Sequence, residues 1–299
     1  MIDHRIETLL IMSETLSFTR TAELMNLTQP AVSQHIRFLE NQYECKLFEQ
    51  QGRRVKLTAA GERLVSAAKI MRANSRRVEA ELKSPELARP FIRLGATKTI
   101  GSYVIARPLA EFIKLYPEYD FELVVDNTDA LLHGLDSGSL DLLLLEGNFD
   151  KQHYHYQLLR DEEFIGICSP DNDLSRQKAI LLEDILTQRL IIREQGSGTR
   201  EIFEQMLKQK SFSLDSFRHT ITISQFSVIK ELVASNVGIS FVYRSVASKE
   251  LKDGDLCEIS LSGGPHTHEF SIVRLPDTVM PAEIDVFTDF VRCNYGSCY

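Results

Sequence analysis

Two prolines, Pro85 and Pro90, break the helical periodicity of this 299-residue chain, and the apolar pattern differs in kind on the two sides of the break. Before it, apolar residues recur at helical spacing. After it, short apolar runs alternate with amphipathic stretches, as strands and crossover helices do. A chain of this length is expected to hold two or more cores. The break therefore separates a helical head from an α/β body, and no internal repeat or low-complexity tract blurs the division.

Charge follows the same division. Residues 1–89 carry 14 basic and 11 acidic side chains, whereas residues 90–299 carry 20 basic and 31 acidic ones. The excess is sharpest over residues 20–77, with 11 basic and 5 acidic groups. A positive head on an acidic body suits contact with a polyanion such as nucleic acid, although a solvated helical surface would show the same excess.

Within the head, Ile6, Leu9, Leu10 and Ser13 fall on one face of a first helix. Ser17 is placed to cap a second helix through Thr21, Ala22 and Met25. Asn26-Leu27 turns the chain, and Thr28 is placed to cap a third helix with Pro30 in its first turn. On this third helix Val32, Ile36 and Leu39 share the apolar face. Gln29, Ser33 and Arg37 line the opposite face with Gln34 beside them. Amide, hydroxyl and guanidinium groups match base edges in the major groove, so this helix can read DNA; taken alone, the stripe is more simply a solvated face. Farther on, Leu64, Met71 and Val78 stand seven residues apart, with Ala68, Ser75 and Leu82 as companions. This spacing predicts a coiled-coil helix that dimerises the chain, the alternative being a single helix docked on its own domain.

The runs Ser17-Phe18-Thr19-Arg20-Thr21-Ala22-Glu23-Leu24 and Thr28-Gln29-Pro30-Ala31-Val32-Ser33-Gln34-His35-Ile36-Arg37-Phe38-Leu39-Glu40 are joined by Lys46-Leu47-Phe48-Glu49 and Val55-Lys56-Leu57-Thr58-Ala59-Ala60-Gly61-Glu62. Together they strongly resemble the LysR-type transcriptional regulators. The resemblance implies a winged helix-turn-helix DNA-binding domain at 1–58 and a linker helix for dimerisation at 59–89. It implies a periplasmic-binding-protein-like effector domain at 90–299, with one lobe of about 90–161 and 268–299 and another of about 162–267. By the same resemblance Gln29, Pro30, Ser33, Gln34 and Arg37 meet DNA, and Arg53 and Arg54 sit at the wing tip. Gln50 departs from a position that is often basic in the family, which removes one phosphate contact.

In the body, strands are expected at residues 91–96, 121–126, 140–145, 164–168, 190–193, 220–224, 238–242 and 268–275, with helices at 101–115, 129–138 and 282–294. Four segments lead from a strand or loop into a helix: Thr97-Lys98-Thr99-Ile100, Thr128, Ser197-Gly198-Thr199 and Ser224-Gln225-Phe226. Free backbone amides and the positive end of the helix dipole favour anions at such entrances. These residues are the candidate contacts for a small anionic metabolite. Each hydroxyl alone is as well explained by helix capping, and Lys98 by solvation.

The expected function is a homodimeric or homotetrameric regulator that binds promoter DNA and responds to a metabolite, with no cofactor, no metal and no membrane contact. An enzyme is disfavoured, because no nucleophile elbow, phosphate loop or His-Glu-x-x-His helix is found. A transport-type solute receptor is disfavoured by the head and by an amino terminus without secretory character. That character, with scattered cysteines that form no disulfide framework, points to the cytoplasm. His153 with His155, and His266 with His268, are possible but weak metal pairs. Cys293 and Cys298 are a possible redox pair.

Overall fold

The computed structural model describes residues 2–52, 54–83, 89–147, 149–263, 266–276 and 282–296. They form two compact units, the first built on residues 1–89 together with 133–140 and 275–276, the second on residues 90–132 and 141–274 with the C-terminal helix.

The first unit runs α1 (His4–Thr15), α2 (Phe18–Met25), α3 (Gln29–Gln42), the hairpin β1 (Phe48–Gln51) and β2 (Arg54–Leu57), and α4 (Ala59–Lys83). Each of the first three helices starts at a side-chain cap: Asp3 accepts from Arg5 N at 2.8 Å, Ser17 from Arg20 N at 3.3 Å and Thr28 from Ala31 N at 3.4 Å. Leu16 and Asn26 close α1 and α2 in the left-handed region. Ile6, Leu9, Leu10, Met12, Ile36, Leu39, Leu47 and Phe48 form one core with Val65 and Ala68 of α4. Met12 and Thr8 are fully buried, whereas Ser13 is half-buried and donates its hydroxyl to the Leu10 carbonyl. The inward face of α1 is thus wider than its apolar spacing suggests. Glu40 is a buried acid for a local reason. Its carboxylate accepts from Leu47 N at 3.0 Å and Lys46 Nζ at 2.8 Å, which fixes the turn from α3 into the hairpin.

Helix α4 has the span that heptad spacing leads one to expect, but its faces are used differently along its length. Ala68, expected in an intermolecular seam, is buried in the core of its own unit. Beyond it Met71, Val78 and Leu82 are exposed by 51%, 52% and 74%.

The second unit contains β3 (Phe91–Thr97), a π-helical turn (Ile100–Val104), α5 (Ala106–Leu115), β4 (Asp120–Asp126), the first half of α6 (Thr128–Ser137), β5 (Leu142–Glu146) and β6 (His155–Cys168). It continues through α7 (Leu182–Ile185), β7 (Arg189–Ile192), α8 (Gly198–Gln209), β8 (His219–Thr222), α9 (Phe226–Ala234) and β9 (Ile239–Tyr243). It ends with α10 (Arg244–Asp253), β10 (Cys257–Ile259), β11 (His266–Arg274) and α11 (Ala282–Tyr295). One sheet takes the strands in the order β4-β3-β5-β11-β6-β9-β7-β8, with β10 attached to β6. β3 is parallel to β4 and β5, and β7 is parallel to β8 and β9, so each end of the sheet is an α/β arrangement. The long antiparallel pair of β6 and β11 joins the two ends, with a register shift between Phe270 and Ser271.

Two expectations are corrected. The helix expected over 101–115 is in two pieces, because Ile105 N donates to Ile100 O at 2.9 Å and widens the first turn. The strand expected at 164–168 starts at His155; its early residues include Arg160, Asp161, Glu162 and Glu163, whose charge hides the strand pattern.

Candidate functional site

In α3 the two faces separate cleanly. Val32, Ile36 and Leu39 are buried, while Gln29, Pro30, Gln34 and Arg37 are exposed and Ser33 is half-buried. Gln29 Nε2 donates to Ser33 Oγ at 3.0 Å, which holds the amide along the helix surface. Thr28 begins the helix outside this face, so the polar groups project from its first turns. Arg54 is exposed at the start of β2, and Gln50 is exposed opposite Val55 in the hairpin register. Arg53 lies outside the described residues. One exposed group that the sequence did not single out is Phe38, whose ring carries the Arg5 guanidinium at 3.7 Å from its centroid. His35 joins α3 to α1: its Nδ1 is 2.8 Å from Thr8 Oγ1, and burial with the neighbouring His4 and Arg5 lowers its pKa.

In the second unit, the helix entrances are tied together by contacts between remote segments. Lys98 Nζ donates to Glu194 Oε1 at 2.9 Å, and the ring of Tyr103 meets that of Phe226 edge-on at 5.7 Å. The Arg193 guanidinium lies 4.2 Å from the Phe226 ring centroid. Gly147 at the end of β5 has φ +84°, and a Cβ built on it would stand 3.6 Å from Gly198 Cα at the start of α8. Burial, with Asp129 of α6 and Glu204 nearby, raises the pKa of Glu201 in α8.

The hydroxyls do not serve as helix caps. Thr99 precedes the π-helical turn without a capping bond and donates to Glu146 Oε1 at 2.8 Å. Ser197 and Gln225 occupy the N-cap positions of α8 and α9 without side-chain capping bonds. Thr128 lies inside α6, whose entrance is instead held by Asn127 Oδ1 accepting from Ala130 N at 2.9 Å. Thr97 and Thr199 are buried, yet neither Oγ1 has a partner among the described residues. Ile100 and Phe226 are buried, and Ser224 and Gln225 are exposed.

Lys98 is not a free cation. Glu194 accepts from Lys98 and also takes two bonds from Arg193, at 2.8 Å from Nε and 3.0 Å from Nη2. Burial pushes the Glu194 carboxyl up, but the Arg193 and Lys98 bonds outweigh it and hold it at about 2.

Glu146 and Arg193 belong to this place and were not found from the sequence. Each ends a run of apolar strand residues and carries no motif of its own. Among the described residues no group of three or more His, Cys, Asp or Glu side chains is placed to hold a metal, and no helix is long and apolar enough to cross a membrane. Cys298 lies outside the described residues, and with it the Cys293–Cys298 pair. A different pair is adjacent: Cys257 faces Cys168 in the β10–β6 register, and burial pushes the Cys168 thiol up to about 12, which makes it a poor nucleophile.

Comparison with known proteins gives consistent matches along the chain. The family model described as the LysR substrate binding domain matches residues 86–295, and that of the bacterial regulatory helix-turn-helix protein, lysR family, matches residues 4–62. The HTH-type transcriptional activator CmpR of Synechocystis is 30% identical over 294 residues, covering 96% of this chain and 94% of its own. Full-length OxyR from Pseudomonas aeruginosa shares the fold with TM-score 0.62 at 21% identity, over 98% of this chain and 95% of its own. The regulatory domain of Synechocystis CcmR, solved in complex with 2-PG, superimposes with TM-score 0.64 at 22% identity over 70% of this chain and 100% of its own.

Proposed function

The chain belongs to the LysR family of transcriptional regulators, non-enzymatic proteins with an effector-binding domain, and from that premise we propose that it binds promoter DNA as a dimer or tetramer and changes transcription when a small anion occupies its second unit. Gln29, Pro30, Ser33, Gln34 and Arg37 are the base-reading surface, with Arg54 and Arg53 on the wing. Residues 1–58 are the DNA-binding domain, 59–89 the dimerising linker and 90–299 the effector domain, its two lobes divided near residues 161 and 268. Work on promoter DNA puts the protein in the cytoplasm.

The effector reading rests on one observation above others. Thr97 and Thr199 are buried hydroxyls without partners among the described residues, at two of the four helix entrances that remote contacts draw together. Buried polar atoms are almost always hydrogen-bonded, so this is where a polar ligand gains most. Thr99, Thr128, Ser197, Ser224, Gln225 and the apolar Ile100 and Phe226 complete the contacts. Lys98 acts through its pairing with Glu194. The complex of CcmR with 2-PG supports a small-molecule effector for this chain as well.

Dimerisation is supported by the exposed row Met71, Val78 and Leu82 on α4. An effector acts only through different affinities for two arrangements of the protein. Footprinting on a cognate promoter with and without the metabolite tests the proposal. A footprint that changes together with transcription is expected; an unchanged footprint and unchanged transcription count against it.

A further inference from the structure

Glu146 closes β5 with its side chain almost wholly buried, at 3% exposure. One carboxyl oxygen, Oε1, accepts from Thr99 Oγ1 at 2.8 Å, while Oε2 is buried without a partner among the described residues. The carboxyl lies beneath the first turn of α8, since a Cβ built on Gly198 would stand 3.6 Å from Glu146 Cγ and 4.0 Å from Oε1. It therefore sits between two of the four helix entrances.

The groups that face it are few. Thr99 approaches from the loop after β3, and Phe270 is its apolar partner in the β11 register. Arg193 at the end of β7 attracts it, but Arg193 is already bonded to Glu194, which in turn holds Lys98. Glu162 of β6 repels it, and the Glu146 charge is felt by the Tyr243 phenol of β9, itself buried without a partner among the described residues. Burial dominates, opposed by the Thr99 bond and Arg193 and reinforced by Glu162, and brings the carboxyl to about 7.

An ionised carboxylate here would be an acceptor only, and would repel an anion at the same helix entrances. A carboxylic acid has one O–H and can donate it. We propose that Glu146 is an effector contact, and that the effector site takes up its anion together with one proton on Glu146, whose Oε2–H then donates a hydrogen bond to the ligand. The proton comes from solvent, and no other bond forms or breaks. This inference rests on the anion-binding reading of the second unit and adds the group that makes binding proton-linked.

Inorganic sulfate is the probe, because it stays a dianion across the neutral range. Titration calorimetry of the full chain in two buffers of different ionisation enthalpy counts the protons taken up. Wild type should take up part of a proton near neutrality, and sulfate should bind more tightly in acid, by roughly tenfold for each pH unit by which the bound anion raises the pKa of Glu146. Glu146→Gln should lose that proton uptake and bind sulfate at alkaline pH at least as well as wild type, because its amide still donates. Histidine titration elsewhere is common to both proteins and cancels in the comparison.

Sulfate binding to wild type without proton uptake overturns the inference and leaves the anion site standing. Equal proton uptake in wild type and Glu146→Gln does the same. If neither sulfate nor phosphate binds wild type at any pH, the anion reading fails and the inference falls with it. Should Glu146→Gln not fold, the proton count on wild type decides alone.

Discussion

Lys98 and Glu194, 96 positions apart in the sequence, meet at 2.9 Å in the effector domain. The same carboxylate holds Arg193, so one acid neutralises both Lys98 and Arg193. An anion arriving there competes with Glu194 for them. Glu194→Gln should therefore strengthen sulfate binding severalfold, measured by calorimetry at neutral pH, and should lower the melting temperature because Arg193 is left buried with a weaker partner. Unchanged sulfate affinity would mean that neither cation serves the site.

Glu146 also makes a prediction that needs no ligand. Its folded pKa of about 7 lies above the ordinary value of 4.5, so the folded chain binds the proton more tightly than the unfolded chain. Its stabilising contribution is present in full below the unfolded value and is lost as pH rises through about 7. In alkaline buffer Glu146→Gln should be more stable than wild type, by a few kcal/mol at most, since each pH unit separating the folded from the unfolded pKa is worth about 1.4 kcal/mol. The gap should close in acid. Urea denaturation at several pH values measures it.

The two sets of proposed DNA contacts should respond differently. Arg54→Ala should reduce the slope of log affinity against log salt by about 0.9, the effect of one phosphate contact. Gln29→Ala and Arg37→Ala should instead change base preference, by about 1–3 kcal/mol where the contact is bidentate. Competition binding to a cognate site and single-base variants, at several salt concentrations, separates the two.

The exposed row on α4 predicts assembly. Met71→Asp combined with Val78→Asp places two charges where apolar side chains are 51% and 52% exposed. Sedimentation equilibrium should show a lower mass than wild type with helical content retained. An unchanged mass would place the subunit interface elsewhere.

Gly61 is required by packing. A Cβ there would lie 2.1 Å from the Leu47 carbonyl oxygen and 2.9 Å from Leu57 Cδ2. Gly61→Ala should destabilise the DNA-binding domain by about 1–3 kcal/mol, the usual cost of overpacking. Thermal unfolding followed by circular dichroism checks it.

The sequence by itself determined what depends on near neighbours. Ser17 and Thr28 start helices because a hydroxyl three residues ahead of a free amide caps it, and Val32, Ile36 and Leu39 fall on one face because a helix has its period. Such information reaches only a few residues. The tertiary structure decided what depends on segments far apart in the chain. Thr99 meets Glu146 across 47 positions, Cys168 faces Cys257, and Ala68 turns into its own core, because strand order and helix docking, not local spacing, bring them together. Glu146 reads in the sequence as the polar end of an apolar strand. Only burial, with a hydroxyl on one oxygen and no described partner on the other, makes it an acid that can hold its proton near neutrality.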